Sequence, residues 1–533
     1  MTMAVRPPCD AAVVHAGPSA VPSPPGTRRW VLAATILGSS MVFIDSSAVN
    51  VALPALQTGL GASVAQVQWV IEAYMLFLAA LILLGGALGD RLGRRRVFMW
   101  GVALFALASL WCGLAPDATQ LIIARAVQGI GGALLVPGSL AIISTTFDQA
   151  SRGRAIGTWS GMTAITMAAG PVLGGWLVTA YSWRWVFLLN LPFAVAVLFI
   201  AASRVPETRD PSSAARLDWV GAGLSVAGLG LLVYGLIESA NMGLTHPIVL
   251  GAIAAGLLVL AVFVIVEARV PAPMMPLRLF RSRRFTGATL LTVLLYGALG
   301  GALFFLPFNL IQVQGYTPAQ AGAAWLPFIV TIAILSRWAG ALVPRLGPRV
   351  LLVAGPLITA AGFALATLPG TGGRYWTTFL PAFLMMGLGM SIAVTPLVTV
   401  VMSSAPAGEA GIASGINNAV SRAAGLLALA AMGVIVLAVF NRELDGRLAA
   451  GNLRPLLVQQ LAAQRIKLGA ADIPAAATSE EARVLRSAID ASFVAGFRMA
   501  MWMAAGLAAG SALVAAVTIG AERSPEAVRV GGR

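Results

Sequence analysis

Fourteen long apolar runs leave this chain few ways to fold. The 533-residue sequence is 58% hydrophobic and only 10% charged, and soluble domains of this size carry more charge. A run of about twenty apolar residues can cross a bilayer, and it must be helical there because the hydrocarbon offers its backbone no water. The runs lie near 30–52, 67–88, 97–115, 121–145, 155–180, 184–204, 217–238, 247–268, 285–311, 319–343, 349–368, 376–401, 410–439 and 493–520.

A weak internal repeat divides these predicted spans into two halves. Asp90–Arg95 reads DRLGRR and is echoed by PRLGPR at Pro344–Arg349, and GIGGALLVPG at Gly129–Gly138 is loosely echoed by GLGMSIAVTP at Gly387–Pro396. Paired bundles of this kind are typical of secondary transporters. We therefore predict an all-α integral membrane protein with fourteen transmembrane helices, in two six-helix bundles (spans 1–6 and 9–14) plus two intervening helices. The predicted segments are a disordered tail (1–27), the first bundle (28–204), two linker helices (205–284), the second bundle (285–520) and a second tail (521–533).

The placement of arginine orients the predicted spans. If the N-terminus is inside, the inner joints hold sixteen arginines, whereas the short outer joints hold only Arg184 and Arg374. The positive-inside rule then predicts a multi-pass protein of the cytoplasmic membrane with both termini in the cytoplasm. The segment 441–491 would lie outside as a long loop, in which we expect LLVQQLAAQRIKLGA to form a short, solvated amphipathic helix.

Composition excludes several classes of function. The net charge is +15, but the basic residues lie in short joints and form no single basic face, so we expect no nucleic-acid partner. With two cysteines and two histidines, a disulfide framework, a metal site or a histidine-based catalytic relay is not expected, and we predict that the chain is not an enzyme. No GxxxxGK[ST] string is present, so we expect no cofactor, and transport energy would come from an ion gradient.

The joint between spans 2 and 3 reads GALGDRLGRRR, from Gly86 to Arg96. Asp90 stands alone among four arginines, where it can accept hydrogen bonds from an arginine or from a helix N-terminus of the opposite half. Such contacts would gate a rocking motion of the bundles; the alternative is that the charges only mark topology. The string resembles the loop between helices two and three of the major facilitator superfamily of secondary transporters. The matching positions are Gly86, Asp90, Arg91, Gly93 and Arg95.

Three ionisable side chains lie inside the first four spans. Asp45, in VFIDSSAVNVALP, is deep in span 1, where an acid must be paired or protonated unless neighbouring polar groups merely hold it as a packing residue. Glu72 and Arg125 lie at a similar level in spans 2 and 4, although Glu72 is shallow enough to reach the outer interface instead. An arginine–carboxylate pair that breaks on protonation would be a coupling switch. The string LIIARAVQGIGG resembles the family's fourth-helix pattern, which implies a role for Arg125 in proton transfer.

Span 5 contains GMTAITMAAGPVLGGW, whose small residues allow close helix packing. The string resembles the signature of proton-driven exporters in the superfamily; ordinary glycine packing is the alternative. WRWVFLLNLP and LDWVG, further on, resemble the fourteen-helix drug:proton antiporter branch. The predicted antiporter positions are Gly161, Gly170, Pro171, Gly174 and Gly175.

Aromatic and polar residues near the seam between the halves are candidates for a substrate cavity. Packing in the bundle is the alternative for each, and Arg422 could equally tie helices together. Spans 9–14 contain no deeply placed acid, and since members of the family that this chain resembles carry acids there when they export divalent cations, recognition of a divalent cationic drug is not expected. The candidates are Tyr74, Gln128, Trp159, Tyr296, Phe304, Trp325, Asn417, Asn418 and Arg422.

The resemblance implies a proton-coupled antiporter that exports a small hydrophobic or amphipathic compound, a drug or an antibiotic. Its expected partners are the lipid bilayer, a small-molecule substrate and protons, and we expect it to act as a monomer. Two alternatives stay open: a proton symporter that imports a nutrient, and a transporter-like receptor that no longer transports.

Overall fold

The chain folds as a bundle of long helices. Fourteen of them are long and apolar enough to cross a membrane, and the described part of the chain contains no strand. The predicted all-α fold with fourteen spans is confirmed. Of the two predicted tails, only residues 25–27 lie within the described residues. The computed structural model describes 25–209, 217–271, 273–406, 409–451 and 453–520.

The helices extend past the apolar runs that predict them. Spans 1 to 8 are Pro25–Leu60, Val64–Leu92, Arg94–Leu114, Ala118–Thr146, Gln149–Ala180, Arg184–Leu188 with Asn190–Arg204, Trp219–Met242 and Pro247–Arg269. Spans 9 to 14 are Arg283–Phe308 with a π turn at Asn309–Val313, Pro318–Ala324 with Leu326–Leu346, Pro348–Leu365, Tyr375–Ser403, Ala410–Ala450 and Ser479–Thr518. Shorter helices are Leu277–Arg281, Pro455–Ala462 and Arg465–Ala470.

Short polar sequences set where several spans begin and end. The Ser63 hydroxyl accepts the backbone N–H of Gln66, whose side chain accepts the N–H of Ser63, so a capping box starts span 2. Thr317 and Thr478 start helices in the same way. Gly93 separates spans 2 and 3 with a φ of 116°, which a residue with a Cβ rarely adopts. Spans 2 and 3 are therefore joined by a tight turn and run antiparallel.

The two halves repeat one packing pattern. Span 1 packs on spans 5 and 6, span 4 on spans 2 and 3, and span 3 on span 6. Span 9 packs in the same way on spans 13 and 14, span 12 on spans 10 and 11, and span 11 on span 14. Each pair in the first bundle thus has a counterpart eight spans later, so the weak sequence repeat corresponds to two related six-helix bundles.

The bundles meet along a seam at two equivalent places, where span 2 packs on span 13 and span 5 packs on span 10. Spans 7 and 8 pack on each other, and span 7 also packs against spans 2 and 13. We refer to the end of the bundle at Pro25 as the tail end, and to the opposite end, at the Gly61 turn, as the loop end.

Spans 5 and 10 touch closely at the loop end and separate toward the tail end. A Cβ atom on Gly175 would collide with the backbone of Pro318, and one on Gly322 would collide with the backbone of Pro171. Nearer the tail end, a Cβ atom on Gly161 would meet nothing within 4 Å. The seam is therefore closed at the loop end and has free space beside span 5 toward the tail end.

The segment 441–491 differs from the predicted long loop. The helix of span 13 continues to Ala450, and span 14 already begins at Ser479. Hydropathy marks where a helix leaves the membrane rather than where it ends, and polar pairs such as Glu443–Arg447, at 2.7 Å, allow the helix to continue in water. Only about half of the segment is therefore a connection between helices.

The amphipathic helix predicted within this segment is present, but it is not merely solvated. Pro455–Ala462 buries Leu457 and Leu461 against the protein. Gln57 at the end of span 1 donates to the carbonyl oxygen of Lys467 at 3.1 Å, in the turn that follows. The connection therefore packs over the loop end of the bundle.

Candidate functional site

A buried ion pair joins spans 1 and 4. The carboxylate of Asp45 and the guanidinium of Arg125 lie 2.6 Å apart, between Oδ2 and Nη1, with 0% and 1% of their side-chain surfaces exposed. Removing two charges from water costs free energy, and their attraction offsets that cost only if the geometry is good and their remaining polar atoms form hydrogen bonds. The structure thus brings together two of the three residues predicted to couple protons.

The guanidinium of Arg125 is held by three further groups. Its Nε donates to the carbonyl oxygen of Val70 in span 2 at 3.0 Å. Its carbon Cζ lies 4.2 Å from the centre of the Tyr74 ring and 5.7 Å from that of Phe187. A cation over aromatic faces gains electrostatic stabilisation when water is excluded. Arg125 is therefore fixed by spans 1, 2 and 6 at once.

The second carboxylate oxygen of Asp45 accepts two amide donors. Gln128 Nε2 lies 3.0 Å from Oδ1 and Asn190 Nδ2 lies 3.3 Å from it. Both amides also donate to the hydroxyl of Ser109, at 2.8 Å and 3.2 Å. We refer to Asp45, Arg125, Gln128, Asn190 and Ser109 as the Asp45 cluster. It spans four helices, and all five side chains are buried.

Two members of the Asp45 cluster were not predicted from the sequence, and a third, Gln128, lies in surroundings other than those predicted. Ser109 and Asn190 are polar residues inside the apolar spans 3 and 6, and that isolation was the available signal. Gln128 was predicted to line a cavity. Instead it is fully buried, and its carbonyl oxygen accepts Arg125 Nη1 at 2.6 Å. Its amide thus connects the acid, the base and the serine.

The Asp45 cluster has the chemistry of a protonation switch. A proton on Asp45 removes the counter-charge of Arg125, and breaking a buried ion pair costs about 3–5 kcal/mol. The guanidinium would then keep only neutral acceptors, the carbonyl oxygens of Val70 and Gln128. The pair is therefore a candidate for the predicted coupling switch.

Glu72, the third predicted coupling residue, stands apart from the Asp45 cluster. It is fully buried, and neither carboxylate oxygen has a hydrogen-bond partner among the described residues. Gln68, one turn away on the same helix, donates to the carbonyl oxygen of Leu429 in span 13 at 3.5 Å. Residues four apart share a helix face. Glu72 therefore lies on the side of span 2 that meets span 13.

The predicted gating turn lies at the tail end. Asp90 accepts from Arg94 of the same turn, with Nη2–Oδ1 at 2.7 Å, rather than from the opposite half. Arg91 is exposed, and Gly86 faces span 4, where a Cβ atom would be 3.6 Å from that of Pro137. In this structure the lone acid therefore pairs locally.

A residue beyond the motif fastens this turn. The carboxylate of Glu207, just after span 6, accepts the backbone N–H of Arg95 at 3.1 Å and that of the next residue at 3.2 Å. It also packs so close to Gly93 that a Cβ atom there would lie 2.7 Å from its carboxyl group. These N–H groups begin span 3, where a negative charge is favourable. Sequence analysis missed Glu207 because it lies more than a hundred residues away.

The predicted antiporter glycines differ in their surroundings. Gly174 lies against span 1, where a Cβ atom would be 2.8 Å from Ala48 Cα, and a Cβ atom on Gly170 would collide with the Ser47 hydroxyl. Gly175 and Pro171 meet span 10 at the loop end, whereas Gly161 faces open space. Four of the five positions therefore form tight helix contacts.

Four predicted cavity residues take part in packing. The indole N–H of Trp159 donates to the Ser39 hydroxyl in span 1 at 3.1 Å. Phe304 and Trp325 are buried in an aromatic core of the second bundle, Phe304 at 5.0 Å from Phe305 between ring centres. Tyr74 is buried on Arg125, as described above.

The remaining candidates lie on spans 9 and 13. Asn417 accepts a hydrogen bond from the Thr292 hydroxyl at 2.7 Å and so ties these two spans. Tyr296 is half-buried, Asn418 is exposed and Arg422 is half-buried. Of the predicted cavity residues, Asn418 is the one that is exposed.

Comparison with known proteins fits this architecture. The sequence model of the Major Facilitator Superfamily matches residues 35–429. The chain is 34% identical to the tetracenomycin C resistance and export protein of Streptomyces glaucescens, over 96% of this chain and 97% of that protein. It is 36% identical to the multidrug resistance protein Stp of Mycobacterium tuberculosis, over 79% of this chain and 78% of that protein.

Solved structures show the same fold. A bacterial homologue of the human lysosomal transporter Spinster superposes with a TM-score of 0.66 at 18% identity, covering 94% of this chain and 100% of that one. The fold, the paired bundles and the sequence matches agree. The chain is a multi-pass membrane protein that belongs to the Major Facilitator Superfamily.

Proposed function

We propose that this protein is a proton-coupled antiporter that exports a small hydrophobic or amphipathic compound across the cytoplasmic membrane. The names of its relatives, which refer to antibiotic export and multidrug resistance, support export. The observation that carries the proton coupling is the buried Asp45–Arg125 pair, the only ion pair between described membrane spans whose two side chains are both fully buried. Ionisable residues inside membrane spans are costly, face the bundle interior and mark ion pathways and proton relays.

The tail end is assigned to the cytoplasm in this proposal. The tail-end turns carry nearly all the joint arginines, including the cluster at Arg94–Arg96, and the positive-inside rule retains such loops in the cytoplasm. The seam is closed at the loop end by spans 5 and 10, and Gly161 faces free space on the other side. The described conformation is thus ready to take a compound from the cytoplasm.

The transport cycle follows from the Asp45 cluster. With Asp45 ionised, its pairing with Arg125 holds spans 1 and 4 together while the compound binds from the cytoplasm. After the bundles rock and open outward, a proton from outside neutralises Asp45 and weakens this pairing. The compound is then released, and the protonated form returns inward, where the proton leaves. Glu72 is a second site for a proton, at the contact of spans 2 and 13, whose packing must change when the bundles rock.

The direction of coupling can be measured in inside-out membrane vesicles. Two xanthene dyes of similar shape are suitable probes, the anion fluorescein and a cationic rhodamine ester. With an acidic lumen, an antiporter accumulates a dye inside as protons leave, and we expect at least one dye to accumulate several-fold over vesicles that lack the protein. Fluorescence quenching in the lumen reports the uptake.

A protonophore is the control for this measurement, since it collapses the pH difference and should release the accumulated dye. A nutrient symporter would instead expel dye from an acidic lumen. Equal dye movement with and without the protonophore would refute proton coupling, and no protein-dependent movement of either dye would favour the receptor alternative.

A further inference from the structure

Arg422 is an arginine inside a membrane span without a counter-ion. It lies twelve residues from the tail-end start of span 13, roughly 18 Å along the helix. Its side chain is half-buried, and it forms no hydrogen bond or ion pair with any described residue. None of its nitrogen atoms is fully enclosed without a hydrogen bond, so the guanidinium keeps some accessible surface. An intramembrane charge of this kind is costly and points to a function.

The face of span 13 that carries Arg422 points toward the seam between the bundles. Gly415, Asn418, Arg422 and Gly425 follow one another at helical spacing and so share one face of span 13. A Cβ atom on Gly415 would lie 2.9 Å from Leu83 of span 2. A Cβ atom on Gly425 would lie 3.8 Å from the carbonyl oxygen of Tyr296 in span 9. The shared face therefore points between the first and second bundles.

Tyr74 places Arg422 beside the Asp45 cluster. The Tyr74 phenol is close enough to the guanidinium of Arg422 for the two groups to interact electrostatically, and the Tyr74 ring also covers Arg125. Arg125 already has its counter-charge in Asp45 at 2.6 Å. No carboxylate is therefore left in the Asp45 cluster to neutralise Arg422.

The second bundle supplies no acid either. Its described acidic residues within spans 9–14 all lie in the loop-end extensions of spans 13 and 14, beyond the apolar runs. They are Glu443, Asp445, Glu480, Glu481 and Asp490. Glu72 also lies where span 2 meets span 13, but neither of its carboxylate oxygens has a hydrogen-bond partner among the described residues, so it does not pair with Arg422. Arg422 thus carries an unpaired positive charge in the central part of the seam, with the exposed residue Asn418 one turn away.

We propose that Arg422 binds an anionic oxygen of the exported compound, so that the substrate class is amphipathic acids: flat or ring-shaped molecules that carry a carboxylate, phenolate or enolate. The planar guanidinium donates two parallel hydrogen bonds to such a group, and Asn418 supplies a further donor. The aromatic surface of the molecule faces the apolar walls of the seam. This inference rests on the proposed export function and adds the charge of the cargo.

The two xanthene dyes test the charge directly, because they share a ring system and differ in sign. Binding to purified protein in detergent is measured by fluorescence anisotropy, without any gradient. We expect saturable binding of fluorescein. The affinity for the rhodamine ester should be weaker by roughly tenfold or more, which corresponds to the free energy of one charge-assisted hydrogen-bonded pair. Arg422→Gln should lower the affinity for fluorescein to that level while leaving the rhodamine ester unaffected.

Arg422→Lys is the matched variant, since it keeps the charge and loses the bidentate geometry; we expect it to retain part of the fluorescein affinity. If Arg422→Gln does not fold, the relative affinity of the wild-type protein for fluorescein and for the rhodamine ester still tests the inference. Absence of saturable fluorescein binding, or tighter binding of the rhodamine ester, overturns the inference. If the rhodamine ester is then still exported with protons, the proposed function stands and only the anionic class fails.

Discussion

Asp45→Asn is expected to abolish proton-driven dye uptake into inside-out vesicles. Asparagine has nearly the same shape and can keep the contacts with Gln128 and Asn190, but it cannot bind and release a proton. The coupled flux should fall at least about tenfold, to the level of vesicles without the protein, because a titratable group in the span is required for exchange. The initial rate of fluorescence quenching measures the loss.

Two control variants accompany this substitution. Asp45→Glu keeps a carboxylate and should retain measurable uptake, although the added methylene strains a packed site by about 1–3 kcal/mol. Asp148→Asn removes an exposed acid at the tail end, which pairs with Arg28 at 2.9 Å outside the Asp45 cluster, and should leave uptake unchanged. Full activity of Asp45→Asn would show that the protein transports without this acid, or that its coupling residue lies elsewhere.

Gly175→Ala is expected to weaken closure of the loop end, whereas Gly161→Ala should have no effect. The added methyl group at position 175 meets the backbone of Pro318, which cannot move away as a flexible side chain would. Overpacking of about 1–3 kcal/mol corresponds to a roughly five- to hundredfold shift away from the closed arrangement. Dye uptake should fall accordingly.

A cysteine reporter separates a shift in conformation from a loss of folding. Ala319 lies at this contact, where its N–H donates to the Thr179 hydroxyl of span 5 at 3.2 Å. In an Ala319→Cys background, labelling from outside by an impermeant maleimide should be faster with Gly175→Ala than with Gly161→Ala. The natural Cys112 is buried, and the other natural cysteine, Cys9, is replaced by serine. Equal labelling rates would contradict the role of Gly175 in closing the seam.

Residues close together along the chain, or at one depth in neighbouring spans, could be found from the sequence. Asp45 and Arg125 are charges in apolar runs, and such charges require each other because lipid offers no other partner. The number of spans follows from hydropathy in the same way. The ends of spans 13 and 14 cannot be found from hydropathy. Local helix propensity and packing decide how far a helix continues outside the membrane, and hydropathy does not record them.

The other features depend on how the bundles face each other. Glu207 fastens the turn at Arg95 from a distant part of the chain, and Gln128 faces the Asp45 cluster rather than the seam because of the rotation of span 4. Arg422 could be noticed as a charge in a span, but its lack of a counter-ion is a property of the three-dimensional arrangement. Sequence patterns therefore identified the types of residue at the site, and the fold decided their partners.

The exchange of one compound for protons can be measured directly with purified protein in lightly buffered liposomes. Potassium and valinomycin on both sides hold the membrane potential at zero, no pH difference is imposed, and whichever of the two dyes the vesicles accumulate is added outside. Antiport predicts that the medium acidifies as the dye enters, and that neither event occurs with Asp45→Asn. Dye entry without acidification of the medium, or with its alkalinisation, would contradict the account.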